Sequence, residues 1–368
     1  MTLRHLFLPA LLCLAGLLSP LSIRADEPPR PNVLLIVCDQ LRAQSLGCMG
    51  DPDVKTPEID RLASQGLLLR QTFANSPVCC PARAVMLTGQ YAHKNGIVAN
   101  DLRLRESSVT LAKLLKAEGY QTGLIGKWHL DGGPRDPGFV PPGPRRLGFD
   151  FWAAYECRHD AFHPLWFRDD PEPIRSTKFE PEALTDVAID FLKSRKEGPF
   201  FLELSIGPPH DPYGAPEKYT KMYDPQKLTM RPNWKEGVPQ AGREQIAAYD
   251  ASITAIDDQI GRLMRTLKDL DLEKNTIVLF TADHGDMLGS QGARLKRKPW
   301  EESIRVPGVL RYPARVKGGE ATDALLSHVD FAPTLLSLCG VPVPADIQGT
   351  DLSGAVLGTT DRGPDSVF

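Results

Sequence analysis

The stretch that decides the fold reads Asn32-Val33-Leu34-Leu35-Ile36-Val37-Cys38-Asp39-Gln40. Val33 to Cys38 form an unbroken apolar run, and two polar residues follow it directly. A strand with one solvated face alternates apolar and polar residues, whereas a continuous apolar run is typical of a strand buried on both faces of a parallel sheet. We therefore expect a central parallel strand here, with Asp39 and Gln40 at its carboxyl end.

Similar apolar runs recur along the chain, with amphipathic helical patterns between them. Predicted strands cover residues 120–126, 199–206 and 275–282. Predicted helices cover residues 57–63, 108–118, 182–193 and 243–270, and residues 132–148 and 149–170 are predicted loops. Strands that alternate with helices predict an α/β fold, a large, mostly parallel mixed sheet sandwiched by helices.

The composition is that of a globular protein and excludes some functions. The chain has 368 residues, 42% of them hydrophobic and 24% charged, which suits one large domain or two ordinary ones. A net charge of −3 argues against a general nucleic-acid binder. Seven cysteines without a C-x-x-C pair do not make a disulfide scaffold.

The N-terminus resembles a secretory signal peptide. Arg4 and His5 precede an apolar run over residues 6–23, and Ala25 offers a small residue for cleavage. We expect a signal peptide at residues 1–25, a linker at 26–31, a catalytic domain at 32–368 and an exported protein. A retained anchor helix is the alternative, but Pro20 and the marginal length argue against it, so no stable membrane span is expected.

Polar residues follow four of the predicted strands. In open parallel sheets, ligands bind beyond the carboxyl ends of the strands. A lone polar residue there is commonly only a solvated strand end, but four such ends together predict a site. The residues are Asp39, Gln40, Lys127, His129, His210, Asp283 and His284.

This set has the donors of a metal site surrounded by positive charge. Asp39, Gln40, Asp283 and His284 offer two carboxylates, an amide and an imidazole, which suit Ca²⁺ or Mg²⁺ and tolerate Mn²⁺. A cation with several basic groups around it favours a phosphate or sulfate ester as the ligand. A buried salt-bridge network is the alternative, and desolvation makes it an expensive way to stabilise a fold. The basic residues are Arg83, Lys127, His129, His210 and Lys296.

A cysteine lies at a predicted helix start in Cys79-Cys80-Pro81-Ala82-Arg83. Pro81 suits a first helical turn, and Gly89 can end the helix in a left-handed conformation. Cys79 is therefore expected just before the helix N-terminus, where backbone N–H groups favour negative charge. Arg83 lies about one turn further on. A structural cysteine at a buried helix start is the alternative interpretation.

Taken in order, these motifs resemble those of the type I, formylglycine-dependent sulfatases of the alkaline phosphatase superfamily. Cys79 to Gly89 is similar to the family's C-x-P-x-R and L-T-G motif, and residues 119–130 are similar to its second motif. Residues 300–307 resemble its aromatic-E-E-x-x-R-V-P segment. The resemblance extends over nearly the whole chain after the predicted signal peptide.

The resemblance implies a role for each site residue. A separate formylglycine-generating enzyme would oxidise Cys79, which alone has proline two and arginine four residues later, to formylglycine, whose hydrate attacks sulfur. By this resemblance Arg83 and Lys127 hold the hydrate, His129 assists the release of sulfate, and His210 and Lys296 bind the sulfate, with Lys298 a competitor for Lys296. The metal, calcium or alternatively magnesium or manganese, would be bound by Asp39, Gln40, Asp283 and His284.

The chain departs from the family pattern at two places. Many relatives have aspartate where Gln40 stands; glutamine occurs in subgroups that include choline-sulfatase-like and phosphonate-hydrolase-like enzymes. The small C-terminal subdomain of the family is expected to be largely missing. The resemblance implies a secreted sulfatase for a sulfated carbohydrate; a phosphodiester or phosphonate monoester hydrolase and a non-catalytic sulfated-glycan binder are the alternatives. Selectivity is expected from His159 and His163.

Overall fold

The computed structural model of the protein describes residues 2, 29–135, 138–195, 197–360 and 363–368. The predicted signal peptide and linker lie outside the described residues, apart from residue 2 and residues 29–31. Within the described ranges, no helix is both long enough and apolar enough to cross a bilayer.

The strands of the described ranges are β1 (Asn32–Asp39), β2 (Leu67–Leu69), β3 (Thr72–Phe73), β4 (Gln121–Lys127), β5 (Phe151–Tyr155), β6 (Leu165–Trp166), β7 (Ile174–Arg175), β8 (Phe200–Pro209), β9 (Thr276–Ala282), β10 (Gly308–Arg311), β11 (Glu320–Thr322) and β12 (Leu326–Ser327). Eight of these strands form one mixed sheet in the order β11-β2-β10-β9-β1-β8-β4-β5, and the others form two short pairs. Strands β9, β1, β8, β4 and β5 are all parallel, whereas β10 runs antiparallel to β9.

The helices of the described residues are α1 (Pro57–Ser64), α2 (Cys79–Thr88), α3 (Ala92–Asn95), α4 (Leu111–Ala117), α5 (Glu180–Ser194), α6 (Glu217–Thr220), α7 (Arg243–Asp269), α8 (Glu301–Ile304), α9 (Phe331–Leu338) and α10 (Ser353–Val356). Leu34 and Ile36 of β1 pack with residues of α1, α5 and α7, and Val33 and Leu35 pack on the other face with residues of α2, α4 and α9. Helices therefore cover both faces of the sheet, which confirms the predicted α/β fold.

The strand register brings the polar strand ends to one edge of the sheet. Cys38 of β1 is level with Ala282 of β9, and Gly126 of β4 is level with Ser205 of β8. Because these strands are parallel, the residues that follow them leave the sheet on the same side. The predicted site residues on these four strand ends therefore lie close together.

Several element boundaries differ from the sequence predictions. Helix α4 begins at Leu111, because the Thr110 hydroxyl accepts a hydrogen bond from the backbone N–H of Lys113 and caps the helix there. The stretch 149–170 is not wholly a loop, since it contains β5, which pairs with β4 at the sheet edge. Helix α2 begins at Cys79 itself, and Pro81 is its third residue. A proline is tolerated there because the first four N–H groups of a helix have no partner within it.

The central strand β8 carries a buried acid, Glu203, and this makes a prediction about pH. Burial raises the pKa of Glu203 from its ordinary 4.5 to about 7, and nearby Arg83 opposes this only in part. At a pH between these two pKa values, Glu203 keeps its proton in the folded protein but has lost it in the unfolded chain. Glu203 therefore destabilises the fold increasingly as pH rises from about 4.5 to 7. The difference in unfolding free energy between Glu203→Gln and the wild type should therefore shift in favour of the variant by about 1–3 kcal/mol from pH 5 to pH 8.

Urea unfolding at both pH values measures this gain. The exposed Glu236 provides the matched control, since Glu236→Gln should show the pH dependence of the wild type. An equal stability difference between wild type and Glu203→Gln at the two pH values would contradict the prediction.

Candidate active site

The thiol of Cys79 lies where the predicted site residues converge. Its Sγ is 3.8 Å from Oδ1 of Asp39, 3.3 Å from Nε2 of His284 and 3.4 Å from Nζ of Lys296. The residue is buried and begins α2. The helix start, two strand ends and the loop that carries Lys296 therefore meet at a single side chain.

A cluster of potential metal ligands surrounds this thiol. Ligand atoms of Asp39, Cys79, Asp283 and His284 all lie within 4.8 Å of one another, and all four residues are buried. His284 Nε2 is 3.4 Å from Oδ1 of Asp39 and 3.5 Å from Oδ1 of Asp283. Burial and the neighbouring Asp39 raise the pKa of the Asp283 carboxyl. Two buried carboxylates this close repel each other, and a divalent cation would remove that repulsion.

Gln40 connects the cluster to a second pair of acids. Its backbone N–H donates to Oδ1 of Asp283 (3.1 Å), and its side-chain Nε2 donates to Oδ1 of Asp211 (3.1 Å) and Oδ2 of Asp286 (2.6 Å). Its Oε1 accepts from Nζ of Lys296 (2.7 Å). An aspartate at position 40 could not donate these hydrogen bonds, and its carboxylate would face those of Asp211 and Asp286. The structure thus gives a physical reason for the departure from the family pattern at this position.

Arg83 and Lys127 neutralise the two buried aspartates. The Arg83 guanidinium donates to Oδ2 of Asp283 through Nη2 (2.9 Å) and Nε (3.1 Å), and its Nη1 donates to the Lys127 carbonyl oxygen (3.1 Å). The Lys127 ammonium pairs with the Asp39 carboxylate. Burial lowers the pKa of both cations, but the aspartates raise it more, so both stay charged.

Lys296, rather than its sequence competitor Lys298, reaches the site. Nζ of Lys296 lies 2.7 Å from Nε2 of His210 as well as 3.4 Å from the Cys79 sulfur. Lys298 is exposed, and its backbone N–H bonds to the Ser303 hydroxyl. The backbone explains the difference, because both neighbours of Lys296 in the chain have left-handed φ angles of 60° and 65°. These turns direct Lys296 inward.

The remaining two histidines are held by acidic and carbonyl partners. His129 is buried, and its Nε2 is 3.3 Å from Oδ1 of Asp101. Burial lowers the pKa of His129, and the nearby Cys79 opposes this. His210 places Nδ1 2.7 Å from the backbone oxygen of Asp211, which leaves its Nε2 directed at Lys296.

The two adjacent cysteines have opposite environments. Burial and Asp39 raise the pKa of the Cys79 thiol, but Lys127, His284 and Lys296 outweigh them and hold it well below its usual value. Burial raises the pKa of the Cys80 thiol to about 12, and its Sγ accepts from the Asp101 backbone N–H (3.3 Å). Negative charge is therefore stabilised at position 79 and not at position 80.

The structure also adds residues that sequence reasoning missed. Ser205 accepts a hydrogen bond from Arg83, and Asp101, Asp211 and Asp286 hold site residues in place. Ser205 lies inside a predicted strand, so no sequence signal marked it. Asp286 was visible as the fourth residue of the Asp-His-Gly-Asp segment, 283–286.

Of the two histidines expected to give selectivity, only one borders the site. His159 stacks on His210, with ring centroids 3.8 Å apart and an interplanar angle of 11°. Burial lowers the pKa of His159 to about 2, so the ring is neutral. His163 is exposed and pairs with Asp160 (3.1 Å). The role of His159 in selectivity stays a prediction.

A buried cluster of carboxylates and an imidazole, set among lysine and arginine at the carboxyl edge of a parallel sheet, has the residue types that metal-assisted hydrolases of anionic esters use. The chain belongs to the sulfatase family, since the family model described as Sulfatase matches residues 31–341. This confirms the family that the sequence motifs resemble.

Individual relatives agree with this assignment. An ulvan-active sulfatase of Formosa agariphila is 41% identical over 335 residues, which cover 89% of this chain and 65% of that protein. A Bacteroides fragilis structure, provisionally described as a sulfatase, matches with a TM-score of 0.86 at 32% identity over 91% of this chain and 80% of that one. A structure that contains its substrate D-glucosamine-2-N,6-O-disulfate matches with a TM-score of 0.81 at 26% identity over 92% and 82%. The chain thus spans about two thirds of the length of its ulvan-active relative.

Proposed function

We propose that the chain hydrolyses a sulfate ester of a carbohydrate through a formylglycine made from Cys79. The observation that carries the proposal is the position of the Cys79 sulfur, 3.3 Å from His284 and 3.4 Å from Lys296 inside the carboxylate cluster. A carbohydrate substrate is supported by the ulvan-active relative and by the structure with a disulfated glucosamine. The pattern of residues 4–25 supports export of the protein.

The sulfate group would be bound by His210 and Lys296. Because His210 Nε2 and Lys296 Nζ lie only 2.7 Å apart, one oxyanion can contact both. These groups would offset the negative charge of the ester as the sulfur–oxygen bond breaks. One of them would donate a proton to the departing alcohol oxygen.

The modified Cys79 would supply the nucleophile that attacks sulfur. Arg83 and Lys127 would orient it, since both are buried and paired with the carboxylates of the cluster. His129 would accept a proton when sulfate is released. Its Nε2 faces Asp101, and its Nδ1 has no hydrogen-bond partner among the residues that the structure describes, so Nδ1 can exchange that proton.

A divalent cation, which we propose to be Ca²⁺, would be held by Asp39, Gln40, Asp283 and His284. The oxygen-rich donor set also suits Mg²⁺, and its imidazole tolerates Mn²⁺. A bound cation would neutralise the paired carboxylates and make an oxygen atom beside it easier to ionise.

The test is sulfate release by protein matured in the presence of a formylglycine-generating enzyme. Mass spectrometry of the Cys79 peptide should show conversion of the thiol to an aldehyde, and ion chromatography should detect sulfate released from a panel of sulfated mono- and oligosaccharides. N-terminal sequencing of the exported protein should begin at Asp26. Faster cleavage of aryl phosphodiesters or phosphonate monoesters than of sulfate esters would overturn the proposal, as would glycan retention without sulfate release.

A further inference from the structure

The loop that carries Lys296 also carries positive charge that the proposed reaction does not use. Arg297 and Lys298 follow Lys296 directly, and both are exposed. Neither side chain takes part in an ion pair with any residue that the structure describes. We call Arg297 and Lys298 the basic rim. Uncompensated charges beside a site raise the local concentration of oppositely charged ligands.

Two acids that follow groove residues in the chain, Glu301 after the loop of the rim and Asp101 after Asn100, are already paired. Glu301 lies 3.1 Å from Nη1 of Arg305, and Asp101 lies 2.6 Å from Nε of Arg135. Their carboxylates are therefore committed to other cations. The positive charge of the basic rim remains available to a ligand.

A groove borders the basic rim and extends to the start of helix α2. Arg297 and Lys298 line it together with Val78 and Asn100, and its volume is about 530 Å³. Val78 is the residue immediately before Cys79 and is the N-cap of α2. Ligand pockets commonly measure roughly 300–1,000 Å³, so the groove has room for a substrate segment beyond the reacting ester.

Apolar surface accompanies the charge. Val98, which also lines the groove, is 65% exposed, and Trp300 at the end of the same loop is 40% exposed. Exposed apolar side chains bordered by polar ones mark interaction surfaces. The apolar faces of sugar rings can pack on such side chains while anionic substituents contact cations.

We propose that the groove binds the continuation of an anionic polysaccharide, with the basic rim contacting a sulfate or carboxylate on a sugar next to the one that reacts. This inference rests on the proposed function, because the reacting ester must enter at Cys79. Charge complementarity selects the occupant, since a neutral glycan would leave both cations without a partner. The preferred substrate is then a polyanionic chain rather than a sugar with a single sulfate.

Inhibition of aryl sulfate hydrolysis separates binding at the basic rim from binding at His210 and Lys296, the proposed sulfate-binding residues. Inorganic sulfate needs only His210 and Lys296, whereas dextran sulfate can also contact the basic rim. In Arg297→Ala/Lys298→Ala, the ratio of the inhibition constant for dextran sulfate to that for inorganic sulfate should rise about tenfold, and dextran sulfate inhibition should depend less on salt. An unchanged ratio would overturn the proposal.

Two further variants serve as controls. Lys268→Ala/Lys274→Ala removes the same charge from exposed lysines near the amino end of β9, at the opposite edge of the sheet. It should keep the wild-type ratio. The charge-conserving Arg297→Lys/Lys298→Arg should also keep it, which excludes a merely structural effect.

Affinity electrophoresis separates failure of the rim from failure of the proposed function. Gels that contain dextran sulfate should retard the wild type more than Arg297→Ala/Lys298→Ala, and gels that contain neutral dextran should retard neither. This readout needs no catalysis. Rim-dependent retardation in a matured protein that releases no sulfate would leave the rim in place and reject the sulfatase proposal, whereas equal retardation in dextran sulfate would reject the rim.

Discussion

Cys79→Ala is expected to abolish sulfate release by the matured protein, with a fall in kcat of at least about 10⁴-fold. The substitution removes the side chain that would become the nucleophile. The pairs Arg83–Asp283 and Lys127–Asp39 do not involve the thiol, so the rest of the site should keep its arrangement. Sulfate release measured by ion chromatography, together with an unchanged thermal midpoint, checks this expectation.

The neighbouring cysteine provides the matched control. Cys80 is equally buried, but its sulfur bonds to the Asp101 backbone and lies outside the cluster of potential metal ligands. Cys80→Ala should keep kcat within about twofold and lose on the order of 1 kcal/mol of stability from the vacated space. Loss of activity in Cys80→Ala with retention in Cys79→Ala would reverse the assignment of the nucleophile.

Asp283→Asn is expected to have the second largest effect, lowering divalent-cation affinity by at least about 100-fold and kcat by about 10²- to 10³-fold. Asp283 contributes one of two buried carboxylates in the cluster and also pairs with Arg83. The neutral amide would leave a single carboxylate for the cation. A ligand at about 100 times its Kd stabilises a fold by about 2.7 kcal/mol, so calcium should raise the thermal midpoint of the wild type and not that of the variant.

Titrations with CaCl₂, MgCl₂ and MnCl₂ followed by thermal unfolding measure this effect and rank the three ions. Asp271→Asn is a suitable control, because Asp271 is exposed and has a left-handed φ of 54°, a conformation that asparagine also tolerates. It should retain the full calcium response. A calcium-dependent rise in Asp283→Asn equal to that of the wild type would exclude Asp283 as a ligand.

Most of the fold could be predicted from the sequence because its elements are local patterns. The strands at 32–38 and 276–282 are buried on both faces, as their continuous apolar character predicts. The predictions failed where a tertiary partner decided the local structure. Phe151–Tyr155 becomes a strand because β4 offers it an open edge, and a mixed aromatic and polar stretch gives no such signal by itself.

For the candidate site, the sequence by itself determined which residue types stand at the strand ends and after the helix start. Shared parallel direction was enough to predict that Asp39 and Asp283 meet, because carboxyl ends of parallel strands lie at one edge. The motif spacing already favoured Cys79 over Cys80, but only the tertiary structure showed that their thiols have opposite environments, and only it decided between Lys296 and Lys298. The two members of each pair have the same side-chain chemistry and lie one or two positions apart. The direction of each side chain depends on its position in the helix or on left-handed loop residues such as Arg297, and no local sequence pattern encodes that direction.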